Sequence, residues 1–138
     1  MTNETKPKIL LAEDHPEMRE MLTDLLQPDF DLVAIVANGE AAVEAANNSE
    51  PDVLILDVSM PMLNGTDVAK RLQGQGCQAK IIFLSVSRDI DQVTACFAVG
   101  GSAYVSKMRM DTDLAYAITE VLAGRTFISP EAGLSPFE

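Results

Sequence analysis

Five short aliphatic runs recur along this chain: Lys8-Ile9-Leu10-Leu11-Ala12, Leu32-Val33-Ala34-Ile35-Val36, Val53 to Leu56, Lys80 to Leu84, and Ala103-Tyr104-Val105. Their apolar character is continuous rather than alternating, as expected of strands covered on both faces in a parallel sheet. Between them the period turns helical. Met18, Met21, Leu22, Leu25 and Leu26 fall at i, i+3, i+4, i+7 and i+8, with Pro16 in the first turn, where a missing N–H costs nothing. Shorter apolar faces follow at Ala42, Val43 and Ala46 after Asn38-Gly39, and at Val68, Ala69 and Leu72 after Gly65. Ile90, Val93 and Phe97 follow Ser87, read as an N-cap; Leu114, Ile118, Val121 and Leu122 precede Gly124, read as a helix stop. Strand and helix alternating five times predict a doubly wound α/β sheet with helices on both faces.

The bulk composition narrows the function. With 138 residues, 47% of them apolar, the chain is long enough for a core without metal or disulfide staples. No apolar run approaches the ~18 residues of a membrane span, and the opening MTNETKPK lacks the apolar stretch of a secretory signal, so a cytoplasmic location is expected. A net charge of −11 repels a nucleic-acid backbone, so direct DNA or RNA binding by this part is not expected. Cys77 and Cys96 lack metal-ligand spacing and read as reduced thiols.

In a doubly wound sheet, ligands bind beyond the carboxyl ends of the strands. Strand 1 ends in Glu13-Asp14, strand 3 in Asp57, strand 4 in Ser85 and strand 5 reaches Lys107. Each alone has an ordinary explanation as a cap, a turn residue or a surface lysine. Together they bring three carboxylates, a hydroxyl and an ammonium to one rim. Such an all-oxygen set suits Mg²⁺ (or Mn²⁺), with Asp14 and Asp57 as direct ligands, Glu13 acting through a water and the Ser59 backbone carbonyl adding an oxygen. A carboxylate beside a divalent ion is a competent nucleophile toward phosphorus, and Lys107 and Ser85 then meet the oxygens of the transferred group. That accounts for a charge placed at the end of the aliphatic run DVLILD.

The segments ILLAEDHPEMREML, DVLILDVSMPMLNG, IIFLSVS and GGSAYVSK occur in that order and resemble the receiver domain of bacterial response regulators over roughly residues 8 to 123. The resemblance implies a CheY-like, flavodoxin-like (βα)5 fold of strand order 2-1-3-4-5, preceded by a tail at 1–7. It implies that Asp57 is the phosphoacceptor, Glu13 and Asp14 the acidic pair, Ser85 the switch hydroxyl, Tyr104 the switch aromatic and Lys107 the phosphate-binding lysine. Pro61 and Gly65 would shape the loop after Asp57. A sensor histidine kinase or phosphotransfer protein is the implied donor. Phosphorylation would move Ser85 toward the phosphoryl group and Tyr104 inward, altering the helix 4–strand 5–helix 5 face and with it partner binding or dimerisation. The stretch AGRTFISPEA is similar to the segment after the receiver in NarL/FixJ-type transcription regulators, so residues 124–138 are read as an extension or the start of a linker to a helix-turn-helix output domain.

Some positions depart from the family pattern. Val86 stands where alanine or glycine is usual and should narrow access to the phosphoryl group. Met108 replaces a common proline, so no cis peptide is expected there, and Glu13 is a longer arm than the usual aspartate. His15 reads as a solvent-facing residue opening helix 1, and the methionines, Met60 and Met62 included, as packing.

Two other functions compete. A turnover phosphohydrolase of the haloacid dehalogenase type needs a second acid two residues after the nucleophile, where Ser59 stands. A receiver-like interaction module that is never phosphorylated would have no need of the acidic pair, Asp57 and Lys107 together. The phosphate loop of flavodoxin is missing after strand 1, and so is a nucleotide-binding P-loop.

Overall fold

The structure is a computed structural model and describes residues 5–130 and Ala132. The expectations for residues 1–4 and for the remainder of the C-terminal extension lie outside the described residues.

The aliphatic runs form β1 (Lys8–Ala12), β2 (Asp31–Val36), β3 (Val53–Asp57), β4 (Lys80–Ser85) and β5 (Ala103–Ser106). Between and after them come α1 (Pro16–Leu26), α2 (Gly39–Ser49), α3 (Gly65–Gly74), α4 (Ile90–Ala98) and α5 (Met110–Leu122), and then a short β6 (Phe127–Ile128). All pairings are parallel, in the order β2-β1-β3-β4-β5-β6. The expected order of the first five strands stands, and the C-terminal segment adds a sixth at the β5 edge. Phe127 pairs with Ala103 and Ile128 with Tyr104, while the Phe127 ring meets Tyr116 of α5 edge-on at 5.4 Å.

Successive strand side chains point to opposite faces, and this parity divides the core. Leu10, Leu54, Leu56, Phe83 and Tyr104 pack with α2, α3 and α4. Ile9, Leu11, Ile55, Ile82, Leu84 and Val105 pack with α1 and α5 through Leu22, Leu26, Leu114 and Ile118. Truncating one of these fully buried leucines to alanine costs about 3 kcal/mol.

Helix starts follow the chemistry of their caps. Asn38 accepts from the Ala41 N–H at 2.8 Å, and Asn64 from the Asp67 N–H at 2.9 Å. The cap of α4 is Asp89 rather than the expected Ser87: the Asp89 carboxylate accepts from the Asp91 N–H at 2.9 Å, while the Ser87 hydroxyl accepts from the Asp89 N–H one step earlier. Gly124, at φ 84, follows α5 as anticipated. Gly65 acts by close approach: a Cβ there would lie 2.5 Å from the Asp57 carbonyl oxygen, so only glycine lets α3 start against the end of β3. Met62, exposed in the loop between them, takes the left-handed φ of 73.

Candidate functional site

β1 ends at Ala12, so Glu13 and Asp14 open the loop to α1, and Asp57 is the last residue of β3, the neighbouring strand. Asp57 is 3% exposed and Glu13 fully buried. Lys107, in the β5–α5 loop, reaches over the sheet end. Its ammonium donates to Asp57 Oδ2 at 2.8 Å and lies 3.0 Å from Glu13 Oε1. Asp57 has the same strand parity as Ile55 and pairs with Leu84, which places it toward the α1/α5 side of the sheet. The Ser59 N–H donates to Asp57 Oδ1 at 3.2 Å, folding the loop back on the carboxylate.

The charge in this cleft is unbalanced, with three carboxylates facing one ammonium. Burial pushes Asp57 up to about 6; the Lys107 hydrogen bond opposes this and the neighbouring Glu13 reinforces it. Burial also pushes Glu13 upward, but hydrogen bonding from His15 and the positive charge of Lys107 beside it outweigh this and hold that carboxyl below its ordinary value. Burial pulls Lys107 downward, yet its hydrogen bond to Asp57 and its ion pair with Glu13 leave it above the usual lysine range, charged at neutral pH.

His15 opens α1 as its N-cap and is 68% exposed at its side chain, as expected, and in addition Nδ1 turns back to 2.9 Å from Glu13 Oε2 and 3.3 Å from Asp14 Oδ1. Its hydrogen bond to Glu13, aided by Asp14, raises the imidazole above its ordinary value. Arg19 is a contact that the sequence does not announce. One of its Nη groups donates to the carbonyls of Glu13 and Asp14 at 3.0 and 3.3 Å, tying α1 to the loop. Its signal in the sequence is only its place one turn into the helix that follows the acidic pair.

Ligating atoms of Glu13, Asp14, His15 and Asp57 lie within 4.8 Å of one another. Glu13 Oε1 and Asp14 Oδ1 are buried and accept no hydrogen bond, Oε1 having Lys107 beside it only as an ion pair. Buried carboxylate oxygens without donors are what a hard divalent cation would satisfy, so the residues present fit Mg²⁺.

Ser85 and Tyr104 sit beside this cleft on the α4 side. Tyr104 is fully buried, its hydroxyl 2.7 Å from both the Ser87 carbonyl and Gln92 Oε1. The Ser85 hydroxyl donates to the same Gln92 oxygen and accepts from the Ser87 N–H at 3.0 Å. Gln92, half-buried in the first turn of α4, gives no signal in the sequence because its partners lie 7 and 12 residues away. Val86 is 74% exposed next to Ser85, and Met108 is exposed next to Lys107. The described residues contain no cis peptide, in line with the expectation at Met108.

A second polar cluster lies on the far side of Lys107. Buried Asp113 accepts from Arg109 Nε at 2.9 Å and from the Ser129 hydroxyl at 2.7 Å, and Ser129 Oγ accepts from the Ser106 N–H at 2.9 Å. The residues just after β6 are thereby joined to the loop that carries Lys107. A cleft of about 520 Å³ at the opposite end of the sheet, lined by Asn47, Glu50, Gln75, Cys77 and Lys80 among others, shares none of these groups. Both cysteines are free thiols; burial pushes Cys96 up to about 12.

The chain is similar to known proteins in sequence and in fold. The family profile described as "Response regulator receiver domain" matches residues 9–119. The nitrate/nitrite response regulator protein NarL of Escherichia coli K12 is 31% identical over 131 residues, 94% of this chain and 61% of that protein. The transcriptional regulatory protein DegU of Brevibacillus brevis is 35% identical over 132 residues, 94% of this chain and 56% of that protein. Among solved structures, a LuxR-family two-component response regulator from Aurantimonas sp. SI85-9A1 superposes with a TM-score of 0.87 at 27% identity, covering 93% of each chain. The chain thus spans about 60% of the length of these curated relatives.

Proposed function

Because the chain belongs to the response regulator receiver domain family, we propose that it is a phosphorylation-controlled switch whose phosphoacceptor is Asp57. The observation that carries this reading is the Asp57 carboxylate at the end of β3, hydrogen-bonded by Lys107 at 2.8 Å beside two further acids, Glu13 and Asp14. The donor is a phosphohistidine of a sensor kinase or phosphotransfer protein. An Asp57 oxygen attacks phosphorus, a P–O bond forms, the P–N bond breaks, and its electron pair stays on the imidazole, which takes a proton from water. Mg²⁺, which neutralises phosphoryl charge when bound, would be held by Asp14 and Asp57, by Glu13 through a water and by the Ser59 carbonyl. Lys107 stays protonated and stabilises charge on one phosphoryl oxygen; Ser85 donates to another.

The chemistry is confined to the protein's own phosphorylation and dephosphorylation, so the function is that of a switch and not of a turnover enzyme. The inward ring of Tyr104 links the site to α4 and β5, the face on which partner binding or dimerisation depends. Residues 124–138 lead toward an output domain, and DNA is contacted only through such a domain, the receiver itself carrying a strong negative charge. The relatives' names, nitrate/nitrite response regulator and transcriptional regulatory protein, support an output in transcription. The expected location is the cytoplasm; among the described residues no helix is long and apolar enough to cross a membrane.

The test is intact mass after incubation with acetyl phosphate, with Mg²⁺ or with chelator, on the natural sequence and on Asp57→Ala. One added phosphoryl group that requires both Mg²⁺ and Asp57 is expected. An adduct that persists in Asp57→Ala, or none at short times in the natural sequence, overturns the assignment.

A further inference from the structure

We infer that Gln92 is a positioning residue of this site, a two-state amide that holds the Ser85 proton in one orientation and releases it toward a phosphoryl group on Asp57 in the other. The inference rests on Asp57 as phosphoacceptor and adds a third member to the Ser85–Tyr104 pair.

The number of available protons is limiting here. A serine or tyrosine hydroxyl has one proton to give, whereas an amide oxygen accepts two and an amide nitrogen donates two. Gln92 Oε1 faces both hydroxyls. In this orientation the Ser85 proton is committed to Gln92, and the Tyr104 proton is shared between Gln92 Oε1 and the Ser87 carbonyl, each 2.7 Å away. Ser85 has no second proton for an anionic oxygen on Asp57.

Turning the amide by 180° changes its shape very little, since oxygen and NH₂ are nearly the same size. It does change every assignment. The two Nε2 protons now serve Ser85 Oγ and the Tyr104 oxygen. Tyr104 gives its only proton to the Ser87 carbonyl, and Ser85 Oγ still has lone pairs enough for the Ser87 N–H as well. The Ser85 proton is free, while both hydroxyl oxygens keep a partner. Occupancy of Asp57 by a tetrahedral anion therefore selects the turned amide, and the Tyr104 hydroxyl has a partner in either orientation of it. The backbone does not resist the exchange: the Gln92 N–H is fixed separately, to the Asp89 carbonyl at 3.1 Å.

Only an amide at position 92 can play both parts. A carboxylate of the same length accepts and never donates; a thioether of similar size does neither usefully. Beryllofluoride, a tetrahedral anion, reports the equilibrium without hydrolysis. Its affinity for the protein in Mg²⁺ is read by ¹⁹F NMR for the natural sequence, Gln92→Glu and Gln92→Met, each also combined with Ser85→Ala. Far-UV circular dichroism verifies that each variant is folded.

Gln92→Glu is expected to weaken binding by about tenfold or more in the presence of Ser85, the scale of one hydrogen bond to a charged group. The added negative charge also weakens binding, but equally with and without Ser85, so the double-mutant cycle removes it. With Ser85→Ala the effect of Gln92→Glu should fall to the charge contribution alone. Gln92→Met, which frees the serine proton, should bind at least as tightly as the natural sequence. The Gln92 side-chain NH₂ resonances should shift when beryllofluoride binds. Equal losses with and without Ser85, or a Gln92→Met loss as large as that of Gln92→Glu, would overturn the inference. Failure of the natural sequence to bind beryllofluoride would instead overturn the assignment of Asp57, so the two failures are distinct. Should Gln92→Glu not fold, the methionine variant and the NMR shift decide the matter.

Discussion

Asp57 and Asp113 are equally hidden aspartates on either side of Lys107, and their surroundings are opposite. Asp113 is surrounded by donors: Arg109 on both oxygens and the Ser129 hydroxyl, with Ser129 in turn satisfying the Ser106 N–H. Its charge is matched one to one by a guanidinium. Asp57 shares a single ammonium with Glu13, and Asp14 completes an excess of negative charge in which two buried oxygens accept nothing. A buried carboxylate with all its donors in place holds a fold together, whereas one left short of donors is prepared to take up a cation or react.

If that contrast is right, removing the one ammonium of the acidic cleft should have the largest effect. Lys107→Ala leaves two buried carboxylates without it. We expect a loss of about 3 kcal/mol in cation-free buffer, partly restored by Mg²⁺ in thermal melts, and adduct formation slowed by about 100-fold. A loss that Mg²⁺ leaves untouched would erase the distinction between the two aspartates.

The matching change in the other cluster is Ser129→Ala. It strips a donor from Asp113 and an acceptor from the Ser106 N–H, at a cost of about 2 kcal/mol that Mg²⁺ does not alter. Denaturant midpoints with and without the ion measure both halves of that statement.

The third prediction concerns pH. The folded Asp57 carboxyl takes its proton more readily than an unfolded one, being pushed up to about 6 from 3.8. Its contribution to stability is therefore fully present below pH ~3.8 and lost as the pH rises through about 6. In chelator, Asp57→Asn should stabilise the protein by about 2 kcal/mol at pH 7.5 and by much less near pH 4.5. Added Mg²⁺ should move the Asp57 midpoint, followed by carboxyl ¹³C NMR, downward. An unmoved midpoint would count against cation binding at this carboxylate.

The smallest effect belongs to Val86, which sits exposed beside Ser85 without contributing charge. Val86→Ala should speed loss of the phosphoryl group severalfold by admitting water, with stability nearly unchanged. A lifetime equal to that of the natural sequence would show that access is governed elsewhere.

How far each residue can be read from the bare sequence depends on where it finds its partners. β1, β3 and β4 are almost wholly buried, so their aliphatic runs stand out. β2 is an edge strand and mostly half-buried, and only its apolar composition marks it. β6 has two residues and is set by its place beside Ala103 and Tyr104 and against Tyr116, none of which a local pattern can express. Asp57, Glu13, Asp14 and Lys107 are legible because charges at the ends of aliphatic runs are costly without a purpose. Gln92, Arg19 and Ser129 are not, since a polar residue on a helix or in a tail looks like surface until its distant partners are known.

The sixth strand also has a practical side for anyone recombining such modules. A junction placed after residue 123, where the helical pattern stops, would sever Phe127 from Ala103, bare the β5 edge and take the Ser129 hydroxyl from Asp113. Chimeras that borrow this receiver to drive a foreign effector should carry native sequence through at least Pro130, so that the splice falls outside the sheet and the loop bearing Lys107 keeps its anchor.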